Sequence, residues 1–119
     1  MQTLDVGRGP EGIKWSPDGT VLAVEAQNGT TKPPNNPFYK PTGRLIMLRL
    51  QDGKLRQVAE APIGRWSQGI AFSRDGKTVL VQNMVERTIQ VFAWDGSTLT
   101  PKGALDVKAG PAAIQTPWK

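Results

Sequence analysis

The sequence predicts an all-β chain built from two four-stranded antiparallel sheets. A long motif occurs twice, 57 residues apart, so the chain contains an internal repeat. Asp-Gly pairs, which are typical of tight hairpin turns, separate short apolar or alternating runs. No window shows the period of an amphipathic helix, and 13 Gly and 10 Pro favour turns over helices. A length of 119 residues is enough for one small domain with its own core.

The repeat gives the order of the elements. Residues 12–19 read GIKWSPDG and are matched by GIAFSRDG at residues 69–76, and the match continues through residues 20–24 and 77–81. Arg44 and the four residues after it align with Arg87 and its followers at a spacing of only 43 residues. The difference of 14 residues predicts an insertion loop at residues 27–42 of the first repeat.

Each repeat therefore contains four strands. The predicted strands are residues 12–16, 21–26, 43–50 and 55–61, then 69–73, 78–82, 88–93 and 99–107. The apolar runs 21–24 and 79–81 suit central strands that are covered on both faces. We predict that these runs form the core together with six further residues, which are Ile13, Trp15, Ile46, Ile70, Phe72 and Ile89.

Stacked four-stranded repeats are typical of β-propeller blades. Residues 4–6 recur as residues 105–107, and in each case Gly-Pro follows after two further residues, so the chain starts late in one repeat and finishes early in another. We read residues 1–119 as a single propeller segment. It comprises the end of a preceding outer strand (1–10), blade one (11–63), blade two (64–107) and the start of a following inner strand (108–119).

Two blades leave two open faces, because closure of the ring is what removes exposed edges. We expect two four-stranded antiparallel β-propeller blades that are part of a larger propeller or of one completed by oligomerisation. The expected partners are thus other copies of the chain or the rest of a longer propeller, with three copies giving six blades and four giving eight.

Residues 13–24 and 70–81 carry a family resemblance. They resemble the repeat of lactonase-like and YVTN-type β-propellers, and the likeness covers nearly the whole chain. It implies the blade fold and a ligand face on the rim that bears the longer loops. The same motif occurs in propellers of unrelated activity, so it implies less about function. The acid and histidine positions expected of a lactonase have no recognisable match here.

Composition excludes several classes of site. The chain has no His and no Cys, which excludes a Ser-His-Asp triad, a thiolate nucleophile and a cysteine zinc site. A net charge of +5 is scattered along the chain, so we expect a solvated surface and no nucleic-acid partner. No apolar stretch approaches the length of a bilayer span, and no membrane insertion is expected. We expect a soluble protein, periplasmic or secreted in preference to cytoplasmic, with no cofactor, metal or catalytic residue.

Candidate binding residues lie at one end of the strands. In an up-and-down sheet the short Asp-Gly turns share one rim, while the insertion loop and the connections between blades share the other, which we call the loop-rich rim. Long loops are where binding residues concentrate. The predicted ligand or partner residues are Arg8, Glu11, Tyr39, Arg65, Trp66 and Gln68. They suit a small anionic or sugar-like ligand, or a protein partner; for Tyr39 and Trp66, packing of a loop against a blade is the favoured interpretation.

Comparison of the two repeats divides the carboxylates into turn-forming aspartates and glutamates that have no counterpart. Asp18, Asp52, Asp75 and Asp95 precede Gly in turns, where an Asp side chain stabilises the turn. Four glutamates lack a counterpart in the other repeat: Glu11, Glu25, Glu60 and Glu86. The leading hypothesis is a non-catalytic binding or scaffolding module. The alternative is a lactonase-like hydrolase completed by other blades or subunits, with Glu11 or Glu86 as base and Arg65 holding an anion.

Overall fold

The computed structural model describes residues 1–117 of the chain. Its elements are eight strands: β1 (Pro10–Trp15), β2 (Val21–Ala26), β3 (Gly43–Gln51), β4 (Lys54–Ile63), β5 (Ser67–Phe72), β6 (Thr78–Asn83), β7 (Thr88–Trp94) and β8 (Leu99–Asp106). Strands β1 to β4 form one antiparallel sheet in chain order, and β5 to β8 form a second. The predicted fold class of two four-stranded antiparallel sheets is confirmed. Within residues 1–117 no helix could cross a membrane.

Aspartates stabilise the turns after β1 and β5. The carboxylate of Asp18 accepts hydrogen bonds from the Ser16 hydroxyl (2.7 Å) and the Thr20 amide (3.0 Å). Asp75 accepts the same bond from the Ser73 hydroxyl (2.6 Å) and one from the Lys77 amide (3.0 Å). These bonds to the ionised form lower the pKa of both carboxyl groups. The predicted turn-forming role of the two aspartates is confirmed.

The core lies between the two sheets. We call the face of the first sheet that contacts the second its front face, and the face of the second sheet that contacts the first its back face. The opposite faces are the back face of the first sheet and the front face of the second. Alternate residues of β2 and β3 on the front face of the first sheet pack against the back face of the second. Phe92 and Trp94 of β7 are among the residues on that back face. The first strands of the two sheets, β1 and β5, lie against each other, whereas β4 and β8 barely meet. The sheets therefore diverge from a common inner edge.

The alignment of β3 with β7 was wrong by one residue. Val24 pairs with Ile46, while its counterpart Val81 pairs with Gln90, so the true spacing is 44 residues and the insertion is one residue shorter than predicted. A one-residue slip moves every side chain to the opposite face. Ile89 consequently corresponds to Leu45 and is only half-buried. The sequence alignment paired Arg87 with Arg44, which lies in β3. Arg87 instead lies in the turn before β7 and has a φ of 58°.

Two predicted core residues are exposed. Ile13 and Trp15 are 64% and 46% exposed, whereas their counterparts Ile70 and Phe72 are each 4% exposed. The physical reason is that the back face of the second sheet packs against the first sheet, while no sheet formed by residues 1–117 packs on the back face of the first. The prediction that Ile13 and Trp15 belong to the core is wrong for this chain.

The terminal segments lie along the two outer faces. Val6 packs against a cluster on the back face of the first sheet, and the Gln2 side chain pairs with the Leu55 backbone through two hydrogen bonds of 2.6 and 2.8 Å. At the other end, the Ala113 carbonyl accepts a hydrogen bond from Gln82 (2.8 Å) on the front face of the second sheet. Residues 1–9 and 107–117 contain no strand. The predicted inner-strand start at 108–119 lies partly outside the described residues.

Candidate functional site

The insertion loop begins with a tight turn. Asn28 and Gly29 have φ of 56° and 88°, and the Thr30 amide donates to the Gln27 carbonyl (2.9 Å). A Cβ atom on Gly29 would lie 2.1 Å from the Phe38 carbonyl oxygen. The loop therefore folds back on itself at a point where only glycine fits.

The loop is attached to both neighbouring segments of the rim. The Thr30 hydroxyl accepts a hydrogen bond from the Trp66 amide (3.0 Å), in the connection between the sheets. The Arg8 guanidinium lies over the Phe38 ring, 4.5 Å from its centroid, which is a cation–π distance. Arg8, Tyr39 and Trp66, predicted from distant parts of the sequence, are thus brought together by one loop.

Arg65 is held by Glu86. Its backbone amide and its Nε each donate a hydrogen bond of 2.8 Å to the Glu86 carboxylate, and the Tyr39 side chain also bonds to Arg65. Burial acts to raise the pKa of Glu86, but the bonds from Arg65 outweigh it and the pKa is lowered. A carboxylate with a lowered pKa is a weak base, so the geometry argues against Glu86 as a general base.

Glu11 and Gln68 lie at β-bulges. The pairing of β1 with β2 shifts between Pro10 and Ile13, and the pairing of β5 with β6 shifts between Ser67 and Gly69. Bulges aim side chains away from the regular sheet direction and are frequent beside binding sites.

The two bulges are repeat-equivalent and adjoin each other. A Cβ atom on Gly12, beside Glu11, would lie 3.5 Å from the Cα of Gly69, beside Gln68. Glu11 and Gln68 therefore begin neighbouring inner strands at the loop-rich rim.

Glu25 is buried at the same inner edge. Its side chain has no exposed surface, and neither carboxylate oxygen has a hydrogen-bond partner of normal geometry within residues 1–117. Burial and, after it, the negative charge of Glu11 raise the pKa of Glu25 to about 7, against a smaller opposing effect of the Gly12 amide. Because Glu25 is inaccessible, Glu11 is the carboxylate of this pair that could contact a ligand.

The second sheet has amides where the first has acids. Gln68 corresponds to Glu11, and Gln82 corresponds to Glu25. The Gln82 amide donates to the Ala113 carbonyl, which a carboxylate cannot do. The sequence named Glu25 among the glutamates without a counterpart but did not reveal its burial, and it missed Thr30 as the residue that holds Trp66. Comparison of the repeats position by position is the signal that identifies the acid-to-amide exchange.

The six predicted residues form two groups on the loop-rich rim. Arg8, Tyr39, Arg65 and Trp66 surround the insertion loop, while Glu11 and Gln68 begin β1 and β5. In the described part of the chain, no three acidic side chains gather in an arrangement that could hold a metal ion. The rim thus offers cationic, aromatic, amide and carboxylate groups, which together can bind anions and hydroxyl groups.

No protein-family model and no curated protein sequence matches the chain. It is similar in structure to a Bacteroides fragilis protein provisionally assigned as a 6-phosphogluconolactonase, with a TM-score of 0.77 and 22% identity over 95% of this chain and 31% of that one. A Bacteroides uniformis protein with the same provisional assignment gives a TM-score of 0.65 and 20% identity over 87% and 29%. The chain spans about a third of the length of these structures. At such identities the likeness shows the fold, which is that of lactonase-like blades.

Proposed function

We propose that this chain supplies part of the ligand face of a lactonase-like propeller, and that its loop-rich rim binds a small anionic, sugar-like molecule. The observation that carries the proposal is the pair of adjoining, repeat-equivalent bulges that place Glu11 and Gln68 at the starts of β1 and β5, on the rim that also bears the insertion loop. The structural neighbours bear the name of an enzyme for a phosphorylated sugar lactone, which is a ligand of this chemical class.

The arginines of the rim would attract the anionic group of the ligand, and the carboxylate and amide would contact its hydroxyl groups. Arg8 is exposed and forms no ion pair within residues 1–117, so its charge is available to attract an anion. Arg65 keeps 42% of its side-chain surface exposed despite its ion pair. The Glu11 carboxylate can accept hydrogen bonds from sugar hydroxyls, and the Gln68 amide can both donate hydrogen bonds to them and accept hydrogen bonds from them.

Calorimetric titration with 6-phosphogluconate tests this proposal. The Arg65→Ala variant is expected to bind about tenfold more weakly, because it loses a charge-assisted hydrogen bond. Arg56→Ala is the matched control, since Arg56 is an exposed arginine on β4 that is not part of the rim. Absence of binding by the unaltered chain, or equal weakening by both variants, would contradict the proposal.

Lactone hydrolysis is the second candidate function, favoured by the names of the neighbours and by the Glu11–Glu25 pair. Glu11 would accept a proton from water as the water oxygen attacks the lactone carbonyl carbon. The ring C–O bond would then break, and the leaving alkoxide would take that proton from Glu11. Glu25, which holds a proton up to near-neutral pH, would reduce the charge repulsion on Glu11.

A lactonase assay separates the two candidates. Hydrolysis of a sugar lactone faster than in buffer alone, reduced at least a hundredfold by Glu11→Gln, would support catalysis. Binding with no hydrolysis above the buffer rate would leave the non-catalytic ligand face as the function.

A further inference from the structure

The back face of the first sheet is an unpartnered apolar surface. Ile13 and Trp15 stand exposed on it beside the buried Leu22, Val24 and Leu48. An apolar groove of about 400 Å³ runs along this face, and Leu4 and Val6 of the N-terminal segment form part of its lining. Exposed apolar surfaces of this kind mark sites of association.

The chain itself contains the contact that such a surface makes. On the second sheet the corresponding residues Ile70 and Phe72 are buried against the front face of the first sheet. That front face carries small and aliphatic side chains, namely Val21, Ala23, Leu45, Met47, Ala61 and Ile63. The back face of one four-stranded repeat can therefore bind the front face of another.

The front face of the second sheet is the complementary unpartnered surface. Leu80, Ile89 and Val91 are half-buried there, at the positions of Ala23, Leu45 and Met47 on the first sheet. Leu105, at the position of Ala61, is 59% exposed. Each molecule thus has both halves of the internal contact on its two outer faces, where a terminal segment lies along each but leaves apolar residues exposed.

We propose that a second copy of this chain docks head to tail, placing the front face of its second sheet on the back face of the first sheet of its neighbour. The new contact repeats the internal contact between the sheets, so successive copies turn about one inner edge and close into a ring of three or four copies. This proposal does not rest on the ligand assigned to the rim, but the two sites adjoin, because Glu11 also lines the groove on the back face. A further blade of a longer chain is the competing occupant of the same face.

The C-terminal segment lies where the incoming β1 would lie. Ala113 and Ile114 contact Gln82 and Gly69 in the second sheet, much as Gly69 itself lies beside Gly12 and Glu25 in the internal contact. Docking of a second copy must therefore displace this segment, which acts as a competitor held by few bonds.

Light scattering coupled to size-exclusion chromatography tests the docking surface. We expect a concentration-dependent species of three or four times the monomer mass for the unaltered chain. The Ile13→Glu/Trp15→Glu variant is expected to remain monomeric, because two carboxylates would be buried in the contact. Val85→Glu, at an exposed apolar residue in the turn after β6, is the matched control and should assemble normally. Circular dichroism establishes that each variant is folded.

Mixing two variants tests the direction of docking. Leu105→Glu blocks the front face of the second sheet and should also be monomeric. A mixture with Ile13→Glu/Trp15→Glu should give a dimer of one copy of each, since each variant retains the face that the other lacks.

Removal of residues 108–119 should lower the concentration at which half of the chain is assembled by about tenfold. A stable monomer of the unaltered chain, no dimer in the mixture, or weaker assembly of the shortened chain would overturn the proposal. A stable monomer would leave a blade of a longer chain as the occupant.

Discussion

The two sheets share one repeat but differ in what surrounds them. Ile13 and Ile70 occupy the same position in the motif, yet the first is largely exposed and the second is buried. The difference arises because the second sheet packs on the first, while the described part of the chain places no sheet behind the first. The same apolar residue thus stabilises the fold in one sheet and is left exposed in the other.

The largest expected effect concerns this difference in burial. Phe72→Ala should lower the free energy of unfolding by about 3–5 kcal/mol, because it leaves a cavity between the sheets. The counterpart Trp15→Ala should cost less than about 1 kcal/mol, since the ring is half-exposed. Urea denaturation of the monomer measures both. Similar losses for the two variants would mean that the back face of the first sheet is covered in the monomer.

The next prediction concerns the acid in the first sheet and the amide in the second. The pKa of Glu25 is raised from 4.5 to about 7 on folding, so its contribution to stability is fully present below pH 4.5 and is lost as the pH rises through 7. The loss should be about 2 kcal/mol, allowing for partial relaxation around the charged form. Glu25→Gln should remove this pH dependence in thermal unfolding.

The reciprocal variant provides the control. Gln82→Glu would place a carboxylate against the Ala113 carbonyl and should introduce a new loss of stability above neutral pH. Glu60→Gln should leave the dependence unchanged, because Glu60 is a half-exposed partner of Arg44 on β3. A parent chain whose stability does not change between pH 5 and 8 would be inconsistent with a buried, protonated Glu25.

The last prediction concerns the loop that only the first repeat carries. Gly29→Ala should lower stability by about 2 kcal/mol, since the new methyl group meets the Phe38 carbonyl and the residue has a positive φ. Gly19→Ala also has a positive φ but no atom within 4 Å, and it should cost only about 1 kcal/mol. Equal costs, measured by urea denaturation, would show that the loop moves aside freely.

Sequence comparison within the chain predicted part of the site. All six predicted residues lie on the loop-rich rim, because strand direction alone assigns each loop to one end of a sheet. The bond between Arg65 and Glu86 was not predictable, since it joins residues in two different connections. The bulges at Glu11 and Gln68 were not predictable either, because a bulge depends on the register between two strands.

Local chemistry was sufficient for the eight strands, their order and the Asp-Gly turns, because alternation and turn preference act between residues close in the chain. The correct alignment of β3 with β7 required the tertiary structure, because Arg87 in the turn before β7 matches Arg44 of β3 in residue type but not in position. Burial required it too. Ile13 and Ile70 are alike as sequence, and only the presence or absence of a packed neighbouring sheet makes one exposed and the other buried.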